Sequence, residues 1–245
     1  MFILLPPSET KLQGGDGTPL DVHRLAFPSL TASRLALMAA LSDLCSDLPA
    51  ARKALGVAST KDPELLANLH LTSAPTMPAL NRYTGVLFDH LAVGTMTRVE
   101  RARADSRIMI TSALFGMVAA SDPIPAYRLS AGSILPGVPT ISAWWKPHLS
   151  PILANIDGPV IDLRSSSYAS FAPAPGAIRV QVMTETSSGE RTVVSHFNKA
   201  TKGDLARILS TSRATIDGVS ALLKVARRAG MAIERTSPNL LTVVT

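Results

Sequence analysis

Short apolar runs that end abruptly in polar or proline-rich segments recur along this chain, and they constrain its fold more than any other feature. Residues 2–5 stop at two prolines, and residues 160–163 run straight into Arg164. Runs this short that are apolar throughout, as at 2–5, or interrupted only by Asp162, as at 160–163, are typical of strands that are buried on both faces of a sheet. Because segments with helical spacing lie between them, the sequence predicts an α/β fold (mixed α+β) with a central mixed β-sheet flanked by helices.

The spacing of apolar residues predicts the individual elements. Strands are predicted at 2–5, 107–111, 160–163, 177–183, 191–195, 231–235 and 240–244. Helices are predicted at 30–48, 49–55, 62–71, 78–91, 141–156, 202–210 and 215–229, the first capped by Ser29 or Thr31 and the fifth interrupted near Pro147 and Pro151. No repeat or linker divides the chain, so we expect a single domain over residues 1–245, with a helical subdomain at approximately 29–91.

Length and composition limit the classes of protein to which the chain can belong. Its 245 residues, of which 46% are hydrophobic and 17% charged, suffice for one large core and are too apolar for a disordered chain. No run approaches the roughly 18 to 20 apolar residues of a membrane span, and the run at 2–5 is too short for a secretory signal. We therefore expect a cytoplasmic monomer without a membrane partner.

The single cysteine and the excess of basic residues further restrict the bonds and partners that the chain can have. A single cysteine, Cys45, excludes an intramolecular disulfide, and its place on the apolar side of a predicted helix favours a buried structural thiol. The net charge is +6, which favours anionic partners where the cations are clustered. The positions of the cations therefore decide what the charge means.

The first of four polar segments follows the strand at 2–5. After the two prolines, Ser8, Glu9, Thr10 and Lys11 present hydroxyls, a carboxylate and an ammonium within four residues. Such a mixture is suited to binding a phosphate or to proton transfer. Taken alone, the segment fits equally well a surface turn in which Ser8 is a capping residue.

The second polar segment leaves the strand at 107–111, at the end where α/β sheets commonly place ligand-binding residues. It begins with Ser112 and reaches Tyr127 and Arg128 through a stretch that prolines stiffen, so we expect these two side chains to be held in place. In the purely structural alternative, Arg128 forms a salt bridge with Asp122.

Two further segments combine hydroxyls with cations. Arg164, Ser165 and Tyr168 follow the strand at 160–163 and offer donors to phosphate oxygens. The last segment lies between the strand at 191–195 and the start of the next predicted helix, whose N-terminus favours an anion. Its polar residues are Ser195, His196, Asn198, Lys199 and Lys202.

General catalytic and metal motifs are absent from the sequence. It has no phosphate-binding loop, no dinucleotide-binding fingerprint and no zinc-protease motif, and its five histidines are scattered. We therefore expect neither a metal nor a cofactor, and interpret His196 as a hydrogen-bonded residue of the cleft or core. Direct sequestration of iron is disfavoured because no cysteine, histidine or carboxylate cluster is present.

Five blocks stand out in a fixed order. They are MFILLPPSETK at 1–11, NRYTGVLFDHL at 81–91, SALFGMVAASDPIPAYRLSAG at 112–132, IDLRSSSY at 161–168 and VVSHFNKATKGDLAR at 193–207. Together they resemble the YaaA family of peroxide-stress-resistance proteins over nearly the whole chain. The resemblance implies a cytoplasmic protein that protects cells from hydrogen peroxide by limiting intracellular iron. It also implies DNA binding through a basic cleft beside a helix-hairpin-helix-like element.

The implied hairpin would lie between the helices at 49–55 and 62–71. Gly56 begins it and Lys61 is the nearby cation, whereas Ser59 stands where such hairpins usually carry a further glycine. In these hairpins, backbone amides hold a phosphate without reading the bases. An ordinary pair of packed helices explains the same pattern.

Two functions remain open. The first is a DNA-binding protein of the oxidative stress response, which binds the phosphate backbone with little sequence preference. The second is an enzyme that acts on a nucleotide, a nucleobase or another phosphate-bearing small molecule in the same cleft. The candidate phosphate-binding residues are Lys11, Ser112, Tyr127, Arg128, Arg164, Ser165, Ser195, Asn198, Lys199 and Lys202, and the candidate catalytic residues are Ser8, Glu9, Lys11, His196 and Lys199.

Overall fold

A computed structural model describes residues 1–185, 191–193 and 195–245, without the side chains of residues 193 and 195–197. The strands in these ranges are β1 (Phe2–Leu5), β2 (Gly17–Pro19), β3 (Pro75–Pro78), β4 (Ile108–Ser112), β5 (Gly116–Ala119), β6 (Pro123–Ile124), β7 (Val160–Asp162), β8 (Ile178–Glu185), β9 (Arg191–Val193), β10 (Ile233–Ser237) and β11 (Leu240–Val244). The helices are α1 (Thr31–Cys45), α2 (Leu48–Leu55), α3 (Asp62–Ala67), α4 (Ala79–Arg82), α5 (Val86–Leu91), α6 (Arg98–Arg107), α7 (Ile141–Ala154), α8 (Ser166–Ala169), α9 (Ser195–Thr211) and α10 (Val219–Arg228).

The main sheet has the strand order β10-β11-β8-β7-β1-β4-β5, and β9 pairs with the last residues of β8. The five strands β11, β8, β7, β1 and β4 are parallel to one another, whereas β10, β9 and β5 are antiparallel to their neighbours. A second, antiparallel sheet is formed by β2, β3 and β6. The predicted α/β fold with a central mixed sheet is confirmed.

Strand β1 lies in the interior of the main sheet, where Ile3 is paired with Ile108 of β4 and Ile161 of β7. Ile3, Leu4 and Leu5 have no exposed surface. A strand covered on both faces must be apolar at every position, which explains the continuous apolar run in the sequence. The chain goes from β1 to β4 on one side and later to β7 on the other, and ligands of open α/β sheets bind at such a reversal of strand order.

The prediction of one helix at 78–91 is wrong. This stretch begins in β3 and contains two short helices, α4 and α5, which are separated at Tyr83–Gly85. Gly85 has a φ of 96°, in the left-handed region that favours glycine, and Tyr83 is extended. The helical spacing of Leu80, Leu87 and Leu91 reflects burial of both short helices rather than one continuous element.

The predicted interruption of the helix near Pro147 and Pro151 is also wrong, because α7 runs through both prolines. Each proline removes one backbone donor from the helix. Trp145 and Leu149 are fully buried on the inner side of α7, and their packing keeps the helix continuous. The predicted cap of the first long helix fails as well, because α1 begins at Thr31 with no side-chain cap.

Helix boundaries in the C-terminal half differ from the predictions. Helix α9 begins at Ser195, seven residues before the predicted start, so the residues expected in a strand and loop there are helical. The expected hairpin at 186–189 lies outside the described residues, as does residue 194. Helix α6 was not predicted, although its capping box, formed by Thr97 and Glu100, is visible in the sequence.

Buried side chains of the N-terminal helices join the same hydrophobic core as the sheet, among them Leu37, Leu41 and Leu65. Cys45 is buried, as predicted for a structural thiol, and burial raises the pKa of this thiol. No described helix is both long and apolar enough to cross a membrane.

Gly203 allows α9 to pack closely against α5. A Cβ added at Gly203 would lie 2.3 Å from the Leu87 carbonyl oxygen and 2.7 Å from His90 Cβ. We predict that Gly203→Ala lowers the free energy of unfolding by about 1–3 kcal/mol, although alanine is the better helix former by about 1 kcal/mol. Urea denaturation measures this difference. Gly132→Ala is the control, because nothing lies within 4 Å of its added Cβ; stabilisation by Gly203→Ala would contradict the close contact.

Candidate functional site

The segment that leaves the carboxyl end of β1 pairs with the chain between α4 and α5. The main chain of Lys11 forms an isolated bridge with that of Tyr83, and the Thr84 amide donates to the Thr10 carbonyl oxygen at 3.2 Å. A Cβ on Gly85 would lie 3.3 Å from Thr10 Oγ1, so glycine serves both the φ angle and the close approach at this position. The pairing fixes the position of Lys11 relative to the sheet.

The side chain of Lys11 is enclosed by carbonyl oxygens and aromatic rings. Its Nζ donates to the carbonyl oxygens of Ser8 at 2.9 Å and Glu9 at 3.2 Å. The same atom lies 4.2 Å from the ring centroid of Tyr127 and 5.4 Å from that of Tyr83. These contacts favour the ammonium form through hydrogen bonds and the electron-rich faces of the rings.

Burial has the opposite and larger effect on the proton affinity of this amine. The pKa of Lys11 is lowered from 10.5 to about 7, chiefly by burial and next by the positive charge of Arg128, and this value already includes the opposing effects of Glu64 and Glu9. Both the amine and the ammonium are therefore populated near neutral pH. A group with these properties can accept and return a proton under physiological conditions.

A chain of three hydroxyls lies beneath Lys11. Tyr83 Oη and Tyr127 Oη are 2.8 Å apart, Tyr127 Oη and Ser112 Oγ are also 2.8 Å apart, and Ser112 Oγ accepts from the Phe115 amide at 3.0 Å. Burial raises the pKa of Tyr83 to about 12 and that of Tyr127 well above its usual range. Both phenols consequently stay protonated at neutral pH and act as hydrogen-bond donors and acceptors.

Arg128 lies beside Lys11 and is paired with two carboxylates. Its Nη2 is 3.0 Å from Glu9 Oε2 and its Nη1 is 3.2 Å from Glu64 Oε2. Asn68 fixes the backbone of Arg128, because its Oδ1 accepts from the Arg128 amide at 2.8 Å and its Nδ2 donates to the carbonyl oxygen at 3.0 Å. The expectation that Arg128 is held in place is met, but its suggested salt bridge with Asp122 is wrong, since that carboxylate accepts from backbone amides.

Arg164 lies at the end of β7 and forms a second, more buried ion pair. Its Nε and Nη2 donate to the two oxygens of Asp162 at 2.9 and 2.7 Å, and Lys202 Nζ donates to its carbonyl oxygen at 3.4 Å. Its Nη1 is buried and has no hydrogen-bond partner among the described residues. Burial lowers the pKa of Lys202, and Asp162 opposes this effect.

The other predicted residues lie just before α8 and on α9. Ser165 is exposed and immediately precedes α8. Asn198 is half-buried and Lys199 is exposed, both within the first turns of α9 rather than in a loop. The side chains of Ser195 and His196 lie outside the described residues, so their predicted roles stay predictions.

The first two backbone amides of the hairpin between α2 and α3 are used internally. The amides of Gly56 and Val57 both donate to the Arg52 carbonyl oxygen, with Gly56 in the left-handed conformation that commonly ends a helix. Ser59 begins a 3-10 turn, and Lys61 Nζ is 2.6 Å from Glu64 Oε1. The geometry is compatible with the ordinary pair of packed helices, and contact of this hairpin with a phosphate stays a prediction.

The structure thus brings Lys11 and five other predicted residues together. These are Ser8, Glu9, Lys11, Ser112, Tyr127 and Arg128, which together with Tyr83 and Glu64 we call the Lys11 cluster. Tyr83, Glu64 and Asn68 were missed, although Tyr83 belongs to one of the blocks that carried the resemblance. Within the described ranges, no three His, Cys, Asp or Glu side chains are placed to hold a metal ion.

The lowered pKa of Lys11 predicts a specific dependence of stability on pH. Between about pH 7 and pH 10.5 the unfolded chain binds a proton at Lys11 that the folded chain lacks. The free energy of unfolding of the wild type should therefore rise with pH in this window relative to Lys11→Met, by at most about 1.4 kcal/mol per pH unit. Urea denaturation at pH 6, 7, 8 and 9 measures the difference.

The control for this experiment is Lys224→Met, which removes an exposed lysine of α10. Its stability should follow that of the wild type across the same range. If the curves of the wild type and of Lys11→Met run parallel from pH 7 to pH 9, Lys11 has an ordinary pKa in the folded protein.

Comparisons with known proteins assign the chain to a single family. The family model of the peroxide stress protein YaaA matches residues 1–234. A UPF0246 protein of Corynebacterium efficiens is 47% identical over 96% of this chain and 95% of its own length. UPF0246 proteins of Corynebacterium glutamicum and Streptomyces coelicolor are 43% and 37% identical, over 98% and 97% of this chain and 96% and 94% of their own lengths. The chain therefore belongs to the family of the peroxide stress protein YaaA.

Proposed function

We propose that this protein serves the peroxide stress response as an enzyme that acts on a nucleotide or nucleobase, with Lys11 as the group that exchanges a proton with the ligand. Family membership supports the role in peroxide stress. The proposed chemistry rests on one observation: Lys11 Nζ lies over the ring of Tyr127 and donates to two carbonyl oxygens.

The neutral form of Lys11 is well suited to act as a base. An uncharged amine has two hydrogens and one lone pair, and the carbonyl oxygens of Ser8 and Glu9 can accept both hydrogens. The lone pair then remains for a proton from the ligand. A base whose pKa of about 7 lies near the working pH combines a populated amine with useful proton affinity.

The hydroxyls of Tyr83, Tyr127 and Ser112 form a buried hydrogen-bonded chain beside this site. The two O–O distances of 2.8 Å are those of good hydrogen bonds, and both phenols are almost fully buried. A chain of this kind can adjust its donors and acceptors when the protonation state above it changes.

A nucleotide-like ligand is favoured by the position and charge of the site. The Lys11 cluster is formed by segments at the carboxyl ends of β1 and β4, beside the reversal of strand order where α/β sheets bind ligands. Arg128 supplies a planar cation suited to phosphate oxygens. The net charge of +6 also favours an anionic ligand.

DNA is the second candidate, and exposed cations favour it. Lys199 is exposed near the start of the 17-residue helix α9, and the net charge is positive. In this alternative the protein limits iron-dependent damage by binding the phosphate backbone with little sequence preference. Arg128 and Arg164 argue against a purely electrostatic cleft, because both are already paired with carboxylates of the chain.

The enzymatic proposal predicts that a nucleotide or nucleobase binds at Lys11. Titration with AMP, ATP and free nucleobases should shift the Cε resonance of Lys11 in ¹³C-lysine NMR spectra and raise Tm through ligand linkage. After incubation with the bound compound, mass spectrometry should detect a product whose formation falls at least about 100-fold in Lys11→Met. Lys224→Met should keep the wild-type rate of product formation. If none of these compounds shifts the Cε resonance of Lys11, the proposal is wrong.

The DNA alternative predicts a steep dependence of binding on salt. If the backbone is bound through several phosphates, the logarithm of the association constant should fall linearly with the logarithm of salt concentration, and Lys199→Ala should reduce the slope by about one. Gel-shift or fluorescence titrations on duplex and junction DNA measure both quantities. Binding no tighter than micromolar at low salt, without a slope, would exclude this function.

A further inference from the structure

The two ion pairs of Arg128 differ greatly in their surroundings. Glu64 is 24% exposed, and its other oxygen is 2.6 Å from Lys61 Nζ, so this carboxylate is held from two sides. Glu9 is 64% exposed, and within the described part of the chain its carboxylate pairs with Arg128 Nη2 alone. Arg128 itself is only 12% exposed. One side of the guanidinium is thus fixed, and the other is covered by a loosely held surface carboxylate.

Displacing the Glu9 carboxylate costs little. The Glu9 end of the pair lies in solvent, which screens its charge, and the side chain loses freedom in forming the pair. The backbone of Glu9 need not move, since its carbonyl oxygen accepts from Lys11 Nζ independently of the carboxylate. Rotation of the Glu9 side chain alone therefore uncovers Nη2 of Arg128.

The position that would be uncovered is organised to accept an anion. Asn68 holds the Arg128 backbone through two hydrogen bonds, and Glu64 fixes the orientation of the guanidinium. A pre-positioned planar cation binds a phosphate or carboxylate with less loss of side-chain freedom than a mobile lysine does. The Glu9 carboxylate, an oxyanion, already shows which chemical class fits this position.

We propose that Arg128 is the subsite for an oxyanion of the ligand, a phosphate or a carboxylate, and that the Glu9 carboxylate occupies this subsite until the ligand displaces it. The inference deepens the proposed function, because it assigns the charged part of the ligand to Arg128 and leaves the reacting part for Lys11. Glu9, which the sequence predicts as a candidate catalytic residue, becomes a competitor of the ligand instead.

Charge-matched variants test this subsite. Glu9→Gln and Glu234→Gln each remove one exposed carboxylate that is paired with an arginine, but Glu234 pairs with Arg191 and lies on the edge strand β10. Calorimetric titration at about 0.15 M ionic strength, where long-range charge effects are screened, uses inorganic phosphate, acetate and AMP as probes. Glu9→Gln should bind phosphate and AMP about two- to fivefold more tightly than the wild type, as expected from loss of a weak competing ion pair.

Two further variants separate binding at Arg128 from a general effect of the lost negative charge. Glu234→Gln should bind the probes as the wild type does. The double variant Glu9→Gln/Arg128→Gln, checked for folding by circular dichroism, should lack the tighter binding of phosphate and AMP expected for Glu9→Gln. Tighter binding of acetate but not of phosphate would assign the subsite to carboxylates within the proposal. Equal or weaker binding of all three probes by Glu9→Gln, or no binding by any variant, would overturn it.

The same measurements distinguish this inference from the proposed enzymatic function. If Glu9→Gln binds phosphate more tightly but no compound is converted at Lys11, the oxyanion subsite stands and the proposed enzyme does not. If a compound is converted and Glu9→Gln binds no probe more tightly, the enzyme stands and the subsite at Arg128 does not.

Discussion

The parallel pairing of β1 with both β4 and β7 determines where the polar segments of this protein meet. Parallel strands end at the same edge of a sheet, so the segments that follow Leu5, Ser112 and Asp162 leave the sheet side by side. The chain continues from β1 to β4 on one side and later to β7 on the other, so the connections diverge and leave this edge of the sheet open at β1. The Lys11 cluster and the pair of Arg164 with Asp162 are consequences of that arrangement.

Part of this could be predicted, because β1 and β4 are short apolar runs and the polar segments after them, with Lys11 and with Ser112 to Arg128, meet in the Lys11 cluster. Arg164, which follows β7, lies instead in a separate ion pair with Asp162. Tyr83 could not be found in this way. It lies in a stretch with helical spacing, and it pairs with Lys11 because the chain leaves the helix at Tyr83, which is extended, before the positive φ of Gly85. Residues 195–201 were misplaced for a related reason, since nothing in their sequence marks a helix start as clearly as the capping box of α6.

The electrostatic character of the site could not be predicted from the net charge of the chain. Arg34 and Arg82 have no exposed surface, and both donate to main-chain carbonyl oxygens, Arg34 to those of Phe115 and Met117 and Arg82 to that of Ile124. Such arginines join segments of the core and contribute little to an external field. Part of the basic excess is therefore internal, and a positive cleft cannot be inferred by counting cations; the pairing of each one has to be known.

The burial of Lys11 and the pairing of Arg128 are linked through Glu9. The Glu9 carboxylate raises the pKa of Lys11, and the Arg128 guanidinium lowers it. If Glu9 turns toward solvent, Lys11 loses one neighbouring negative charge and Arg128 loses one of its two counter-ions, so the neutral amine becomes more favourable. An incoming phosphate with up to two charges would reverse this effect and favour the ammonium. Occupation of Arg128 would then set the protonation state of Lys11, which couples the binding of the charged part of a ligand to the proton transfer proposed for its reacting part.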